Sequence, residues 1–431
     1  MRPARHPERN DGPRPSSPRL AMMHRKAGAL VYVAILVGVG CARHATLGPT
    51  SAGSDWVAAW EGSPQLTEQR NMPPAPGLSG QLLRQVIHVT LGGARWRFRF
   101  SNAFGNGPLT IASASVARSI GHDTIDASTA APLRFGGATS VTIAPGTAVL
   151  SDDIPLTMPA LANIAITMRL DVVPSDVTGH PGSRTTSYMT AAGRDASATL
   201  AGAQAIEHWY VLSGAEVQAS GQSGSVVVLG NSIADGRGSG TDRNNRWPDN
   251  LARRLQSQPS TAHIGVLNAG IGGNAVLRGG LGPTALARLE RDVLLQRGAR
   301  WVIVSVGVND IGGAFSPDSS VAVARGLIAA YGEIIHQAHA RGMRVFGATI
   351  LPFGGSQYAR ADHELARRTV NDWIRASGAF DAVIDFDAVM RDHSDPTRLR
   401  ADGDSGDHFH PNERGYERMA DAISLGLFTS R

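Results

Sequence analysis

The sequence contains a single cysteine, Cys41, among its 431 residues, so no disulfide bond can form within the chain. It is also poor in charge, with 18% charged residues against 42% hydrophobic ones. Its apolar run at residues 27–40 has only fourteen residues, which is too few for a mature transmembrane helix. These shortages exclude a disulfide-stapled scaffold, and the composition predicts packed globular cores.

The net charge of +5 comes from one end of the chain. Residues 1–30 hold seven basic and two acidic groups, which is the whole excess, so the remainder is neutral. A neutral body lacks the basic footprint of a nucleic-acid-binding protein, and no nucleic-acid partner is expected. The 50 glycines and 24 prolines indicate many tight turns, and the chain length favours two domains.

The basic start of the chain is typical of an export signal, predicted here over residues 1–41. Arg25 and Lys26 precede the uncharged run, and Cys41 follows it. The boundary resembles a bacterial lipoprotein cleavage site, with Gly38 where a larger aliphatic residue is usual. That resemblance implies lipidation of Cys41, and a membrane contact only through this anchor. The alternative is ordinary secretion with an incidental cysteine. We therefore expect an exported protein, either periplasmic, attached to the outer membrane or secreted.

Residues 56–221 have a hydrophobic pattern of period two. Trp96, Phe98 and Phe100 alternate with three arginines, which sends the rings to one face of a strand and the guanidinium groups to the other. Short alternating segments of this kind, separated by Gly, Pro and Asn, indicate an all-β sandwich. We predict a jelly-roll-like accessory domain here, preceded by a small polar linker at 42–55.

Residues 222–431 alternate short apolar strands with helical stretches. The predicted strands are 226–229, 264–267, 301–306, 345–351 and 382–386, and the predicted helices are 247–258, 283–296, 321–341, 361–376 and 411–425. Five strand–helix units with apolar strands predict an α/β fold, in which helices cover both faces of a parallel sheet. Ligands bind such sheets outside the carboxyl ends of the strands.

Four polar blocks stand where this fold would place a site. They are Gly230-Asn231-Ser232-Ile233, the stretch 268–274 (NAGIGGN), Gly307-Val308-Asn309-Asp310 and Asp407-His408-Phe409-His410-Pro411. Their order resembles the SGNH (GDSL-type) hydrolase family over about residues 225–425. The resemblance implies a flavodoxin-like three-layer sheet and a serine esterase that uses no cofactor. With a β-domain before the esterase domain, the chain resembles a bacterial subgroup of the family.

The resemblance also implies a role for each residue of the site. Ser232 is the nucleophile, His410 the general base, and Asp407 the group that orients the imidazole. The backbone N–H groups of Ser232 and Gly273 and the side-chain amide of Asn309 would bind the oxyanion. A glycine at 273 would let the backbone approach the substrate.

Two neighbouring residues leave questions open. His408 competes with His410 as the base, although the D-x-x-H spacing from Asp407 and the following proline favour His410. Asn231 stands where the family usually has aspartate, a change expected to alter local hydrogen bonding and the pH profile more than the reaction class.

Competing motifs fail on their chemistry. The glycine-rich stretch 236–240 lacks the lysine of a phosphate loop and the spacing of a dinucleotide fingerprint. Asp402, Asp404, Asp407 and His408 are potential metal ligands, but they lack the EF-hand spacing, so no metal is predicted.

The sequence therefore predicts a carboxylic ester hydrolase that works through an acyl-serine intermediate. Short acyl groups, above all O-acetyl groups on a polysaccharide, are favoured because no long apolar lid helix is evident. Two alternatives stay open: a lipase, lysophospholipase or thioesterase for longer chains, and a glycan-binding surface protein with a degenerate esterase half. For the β-domain, carbohydrate binding and a purely structural role beside the site are both open.

Overall fold

The computed structural model describes residues 56–219 and 221–429. The predicted export signal with Cys41 and the whole predicted linker lie outside these residues. No helix within the described ranges is long and apolar enough to cross a membrane.

The first half of the described chain, called the β-rich region below, forms antiparallel sheets. Its strands are β1 Trp56–Glu61, β2 Gln65–Leu66, β3 Gln81–His88, β4 Gly93–Ser101, β5 Leu109–Gly121, β6 Thr124–Ile125, β7 Ala131–Pro132, β8 Val141–Ile143, β9 Ala148–Leu150, β10 Ile154–Met158, β11 Asn163–Val172, β12 Thr178–His180, β13 Ser187–Thr190, β14 Gln204–Ile206, β15 Trp209–Tyr210 and β16 Leu212–Gln218. One sheet has the order β1-β16-β4-β10, with β9 paired to β4. The second has the order β14-β13-β3-β11-β5-β6, with β7 and β8 paired to β5, and a small third sheet has the order β15-β12-β2.

Strand β4 shows why the two larger sheets pack together. Its three aromatic rings are fully buried, and Phe98 belongs to the same apolar core as Ile166 of the second sheet. On the opposite face, Arg97 and Arg99 each form an ion pair of 2.6 Å with Glu216 of the neighbouring strand. The alternation predicted from the sequence is confirmed, and it separates an apolar face of the strand from a charged face on which Glu216 is buried.

The second half, called the α/β region below, contains one five-stranded parallel sheet with helices. Its strands are β17 Gly224–Gly230, β18 Ile264–Gly270, β19 Ala299–Ser305, β20 Arg344–Ala348 and β21 Ala382–Ile384. Its helices are α1 Ser232–Asp235, α2 Trp247–Gln256, α3 Ala285–Leu289, α4 Val308–Gly312, α5 Pro317–Ala340, α6 Ala361–Ala376, α7 Phe386–Met390 and α8 Glu413–Asp421. The order β18-β17-β19-β20-β21 confirms the predicted flavodoxin-like sheet. It puts the switch point beside β17, which runs directly into Ser232.

Two of the differences from the pattern-based prediction illustrate what the pattern could not show. The helix expected over 283–296 is a short α3 followed by a π-helical turn, Glu290–Leu294. Periodicity misses this change because Leu289 and Val293 stay buried in either geometry. Strand β20 ends three residues early because the Ile350 N–H donates to the Asn371 side chain at 2.7 Å instead of joining the sheet.

Side chains join the two regions. The Thr90 hydroxyl of the β-rich region donates to the carbonyl of Ala59 at 2.9 Å and accepts from the Val266 N–H of β18 at 3.0 Å. The Ser225 hydroxyl of β17 donates to the carbonyl of Ala58 at 2.6 Å. The edge of the parallel sheet is therefore bonded to the β-rich region. The domain boundary near residue 221 stays a prediction.

Candidate active site

The turn from β17 into α1 presents Ser232 at the carboxyl edge of the sheet. The side chain of Asn231 caps the helix, since its Oδ1 accepts from the Ile233 N–H at 3.0 Å. A Cβ at Gly230 would overlap the side chain of Ala234, so this position has no room for a larger residue. The strand can thus turn at once into the helix, which leaves Ser232 at its first position, 6% exposed.

The three residues predicted as a triad lie in one hydrogen-bonded chain. The Ser232 hydroxyl is 2.8 Å from His410 Nε2, and His410 Nδ1 is 2.7 Å from Asp407 Oδ2. The other oxygen of Asp407 accepts from the N–H groups of His410, at 2.8 Å, and Phe409, at 3.0 Å. A carboxylate can only accept, so the imidazole proton sits on Nδ1 and Nε2 is left to accept from the serine.

The protonation states suit a general base. Burial alone would raise the pKa of Asp407, but hydrogen bonds from the His410 N–H, the His410 ring and the Phe409 N–H lower it to about 2. Burial lowers the pKa of His410 below its ordinary value, against the opposing effect of Asp407, and the cations Arg237 and Arg184 lower it further. His410 is therefore neutral, and able to accept a proton, at neutral pH.

His408, the competing candidate, belongs to a different pair. Its Nδ1 lies 2.7 Å from Asp404 Oδ2, and its side chain is 50% exposed. Asp404 also accepts from the backbone N–H of His408 at 3.0 Å, so both the ring and the backbone of His408 bond to Asp404. Of the two histidines, the structure brings only His410 to Ser232.

Asn309, the predicted oxyanion donor, follows β19 on helix α4. Its Nδ2 donates one hydrogen to the carbonyl of Asn274 at 2.8 Å, and its Oδ1 accepts from the Tyr358 hydroxyl at 3.2 Å. A primary amide has two N–H hydrogens, so these contacts fix the plane of the amide and leave one hydrogen available to a ligand. Tyr358 had no sequence signal. It packs against Gly312, where a Cβ would overlap its ring.

Gly273, the other predicted donor, lies in the loop after β18. Its φ of +72° is in the left-handed region, and a Cβ there would meet the Leu281 side chain at 3.1 Å. The structure therefore gives its own reason for glycine, beyond the predicted approach of the substrate. The carbonyl of Gly273 accepts from the Leu281 N–H at 3.0 Å, which folds the loop back on itself.

Buried polar residues to which the sequence analysis gave no role hold this loop. Asp310 accepts from the N–H groups of Val276 at 2.8 Å and Leu277 at 2.9 Å. Burial raises the pKa of Asp310, and these backbone N–H groups oppose the rise. Arg288, fully buried on α3, donates to the carbonyl of Gly230 at 2.9 Å and to the side chain of Asn274 at 3.1 Å. One arginine thereby supports both the serine turn and the oxyanion loop.

The β-rich region contacts α1 directly. His180 Nε2 is 2.9 Å from Asp235 Oδ1, and its Nδ1 is 2.9 Å from the carbonyl of Ser63. His180 therefore bridges a backbone carbonyl of the β-rich region and the carboxylate at the end of α1. Gly182 packs on the same carboxylate so closely that a Cβ there would overlap it.

The described ranges hold no cluster of three or more His, Cys, Asp or Glu side chains that could bind a metal ion. Asp402, one of the acidic residues weighed as a ligand, instead forms ion pairs with Arg418 at 2.8 Å and Arg400 at 3.1 Å. These hydrogen bonds hold the pKa of Asp402 far below its usual range.

Residues 228–418 match the GDSL-like Lipase/Acylhydrolase family. Similar solved structures include an acetyl xylan esterase (22% identity, 46% of this chain, 96% of that chain, TM-score 0.36). Another is a lipase/acylhydrolase from Enterococcus faecalis (19% identity, 46% of this chain, 93% of that chain, TM-score 0.35). A third is a GDSL-like lipase from Bacteroides thetaiotaomicron (18% identity, 47% of this chain, 87% of that chain, TM-score 0.34). No curated protein matches the chain.

Proposed function

Since the chain carries a GDSL-like acylhydrolase domain at residues 228–418 and is thus an enzyme of that class, we propose that it hydrolyses carboxylic esters through an acyl-Ser232 intermediate. The observation that carries the proposal is the unbroken hydrogen-bonded chain from Ser232 through His410 to Asp407. A serine hydroxyl needs an adjacent base held by a third group, and this chain supplies both.

The geometry accounts for each step of the reaction. Ser232 Oγ attacks the ester carbonyl while His410 Nε2 takes its proton, and Asp407 stabilises the imidazolium. The N–H groups of Ser232 and Gly273 and the free amide hydrogen of Asn309 bind the oxyanion. The intermediate collapses as His410 returns the proton to the leaving alcohol. Water then attacks the acyl-serine by the same route, which releases the acid and restores the serine.

We propose short acyl groups on a polar alcohol, such as O-acetyl groups of a polysaccharide, as the substrate. The support is the polar character of the site: Arg237 is 64% exposed and its Nε lies 4.0 Å from Asp407 Oδ2. The alternative is an esterase for longer chains, as in lipases, lysophospholipases and thioesterases. A series of 4-nitrophenyl esters of increasing acyl length decides between them, since the proposal expects kcat/KM to fall as the chain grows beyond a few carbons.

The same assay tests the proposal as a whole. Wild-type protein should release 4-nitrophenol from the acetate, and Ser232→Ala should not. Wild type without activity on any ester, synthetic or from acetylated glycans, would favour the other candidate, a glycan-binding protein with a degenerate esterase half.

We further propose export with a lipid anchor on Cys41, supported by the apolar run before it. Expressed in a Gram-negative host, the wild type should fractionate with membranes and incorporate labelled palmitate, whereas Cys41→Ser should incorporate none. Equal solubility of both proteins without label would leave ordinary secretion.

A further inference from the structure

A segment of the β-rich region, residues 181–186, is fixed against the chain that follows the nucleophile. Gly182 packs on the Asp235 carboxylate. The carbonyl of Arg184 accepts from the Asp242 N–H at 2.9 Å. The carboxylate of Asp242 accepts in turn from the N–H of Thr186 at 2.7 Å and from its hydroxyl at 2.6 Å. Contacts on either side of Arg184 therefore tie this segment to the stretch that begins with Ser232.

Arg184 itself has an unusual backbone. Its φ of +51° is in the left-handed region, which is unfavourable for a residue with a Cβ. The Ser183 hydroxyl stabilises the turn, since it donates to the carbonyls of Thr185 at 2.9 Å and Glu207 at 3.0 Å. Such a strained backbone conformation persists only where the surrounding structure holds it in place, and residues of this kind cluster at ligand sites.

The guanidinium of Arg184 has no partner within the described chain. Its Nε is buried without a hydrogen bond, and no carboxylate of residues 56–219 or 221–429 pairs with it. Other arginines of the neighbourhood are paired: Arg243 with Glu413 at 3.2 Å, and Arg246 with Asp249 at 2.7 Å.

The nearby carboxylates are already engaged. Asp407 orients His410, Asp242 binds Thr186, and Asp235 binds His180. Arg184 also lies close enough to the base that its charge, with that of Arg237, lowers the pKa of His410. An unpaired cation is thus present on a turn that is fixed against α1, the helix that carries Ser232.

We propose that Arg184 and Arg237 together form an anion subsite at the edge of the catalytic centre, and that the preferred ester carries an oxyanion group close to the scissile bond. The planar guanidinium suits two-point binding of a carboxylate or a phosphate. A sugar carboxylate and a sugar phosphate share this chemistry. The inference rests on the proposed esterase function and narrows its substrate class.

The test compares three acetylated sugars that differ in one substituent: methyl glucoside, methyl glucuronoside and methyl glucoside 6-phosphate. Wild type should favour one or both anionic substrates over the neutral one. In Arg184→Gln, kcat/KM for the favoured anion should fall by about tenfold or more, the usual scale for a lost charge-assisted hydrogen bond, and kcat/KM for the neutral sugar should stay within about threefold. The anion that is favoured shows whether the natural substrate carries a sugar carboxylate or a sugar phosphate.

Two choices keep the test sharp. Assays at pH 8 keep His410 neutral in every variant, so a change in its pKa does not enter the comparison. Arg243→Gln, which removes an exposed and already paired arginine of the same neighbourhood, is the matched control and should leave the preference intact.

The outcomes separate cleanly. Equal losses on neutral and anionic sugars in Arg184→Gln would make Arg184 a structural residue and overturn the subsite. A wild type that cleaves all three sugars without preference would also overturn it, while leaving the esterase function standing. A wild type inert toward every ester would defeat the esterase function itself.

Discussion

The α/β region and the β-rich region both contact the four residues of α1, but they act on opposite ends of it. The α/β region presents Ser232 at the start of the helix to His410, and it supplies all three residues of the proposed triad. The β-rich region contacts Asp235 at the end of the helix through a hydrogen bond from His180 and the close packing of Gly182. In one region polar groups meet at the reacting serine, and in the other they hold the far end of the helix.

The difference predicts where substitutions act. A group that changes its bonding during the reaction affects turnover when it is removed. A buried group with constant partners affects stability instead, because its removal leaves another polar group unpaired. Residues at the triad should therefore alter kcat in a folded protein, whereas His180 should alter the unfolding temperature.

The largest effect is expected at the triad. Ser232→Ala and His410→Ala should each lower kcat by about 10⁴ or more, since the residues of a triad act as a unit. Circular dichroism should show an unchanged fold. His408→Ala is the matched control, because it removes a histidine of the same loop that pairs with Asp404 instead. An inactive His408→Ala beside an active His410→Ala would reverse the assignment of the base.

The oxyanion side should show the next largest effect. Asn309→Ala should lower kcat by about 10²–10³ with a smaller change in KM, because the donated bond strengthens in the transition state. Tyr358→Phe keeps the ring packing on Phe409 but removes the hydroxyl that holds the amide, so a loss of kcat below about tenfold is expected. A large KM change with kcat intact would instead make Asn309 a ground-state binding residue.

In the β-rich region, His180→Ala should act on stability. It leaves the Asp235 carboxylate buried without its partner, and breaking a buried pair costs about 3–5 kcal/mol. We expect Tm to fall by several degrees in a thermal melt, with kcat on 4-nitrophenyl acetate little changed below the transition. His408→Ala removes a half-exposed histidine and leaves Asp404 its hydrogen bonds from the backbone N–H groups of Gly406 and residue 408, so it should barely move Tm. Equal melting curves for His180→Ala and His408→Ala would contradict the expected role of His180 in stability.

The smallest effect concerns pH. Because the pKa of His410 is lowered, the acid limb of kcat/KM should lie below the ordinary histidine value of about 6.5. Asn231→Asp adds a negative charge beside Ser232, which favours the imidazolium, so the limb should move to higher pH. Asn231 caps α1, a role that aspartate also fills. Superimposable limbs would show that the charge is not felt at His410 and that the position is structural.

The sequence predicted the parts of this site whose signals are local. The apolar strands, the Asp407–His410 spacing and the polar blocks at strand ends each lie within a few residues, and the structure places them together. The supports were missed because their partners are distant in the chain. Tyr358 is 49 residues from Asn309, and His180 is 55 residues from Asp235. No periodicity connects such pairs, so only the folded chain shows them.

The bonds of Thr90 have a consequence for how the protein behaves in crowded solution. Strand β18 is an outer strand of the parallel sheet, and an open outer strand offers unpaired N–H and C=O groups to other molecules. Thr90 occupies the Val266 N–H, and it is anchored to Ala59 of the adjoining strand β1. The β-rich region thus shields this edge from intermolecular strand pairing. Without the β-rich region, the edge of β18 would be open to strand pairing with other molecules and would favour aggregation.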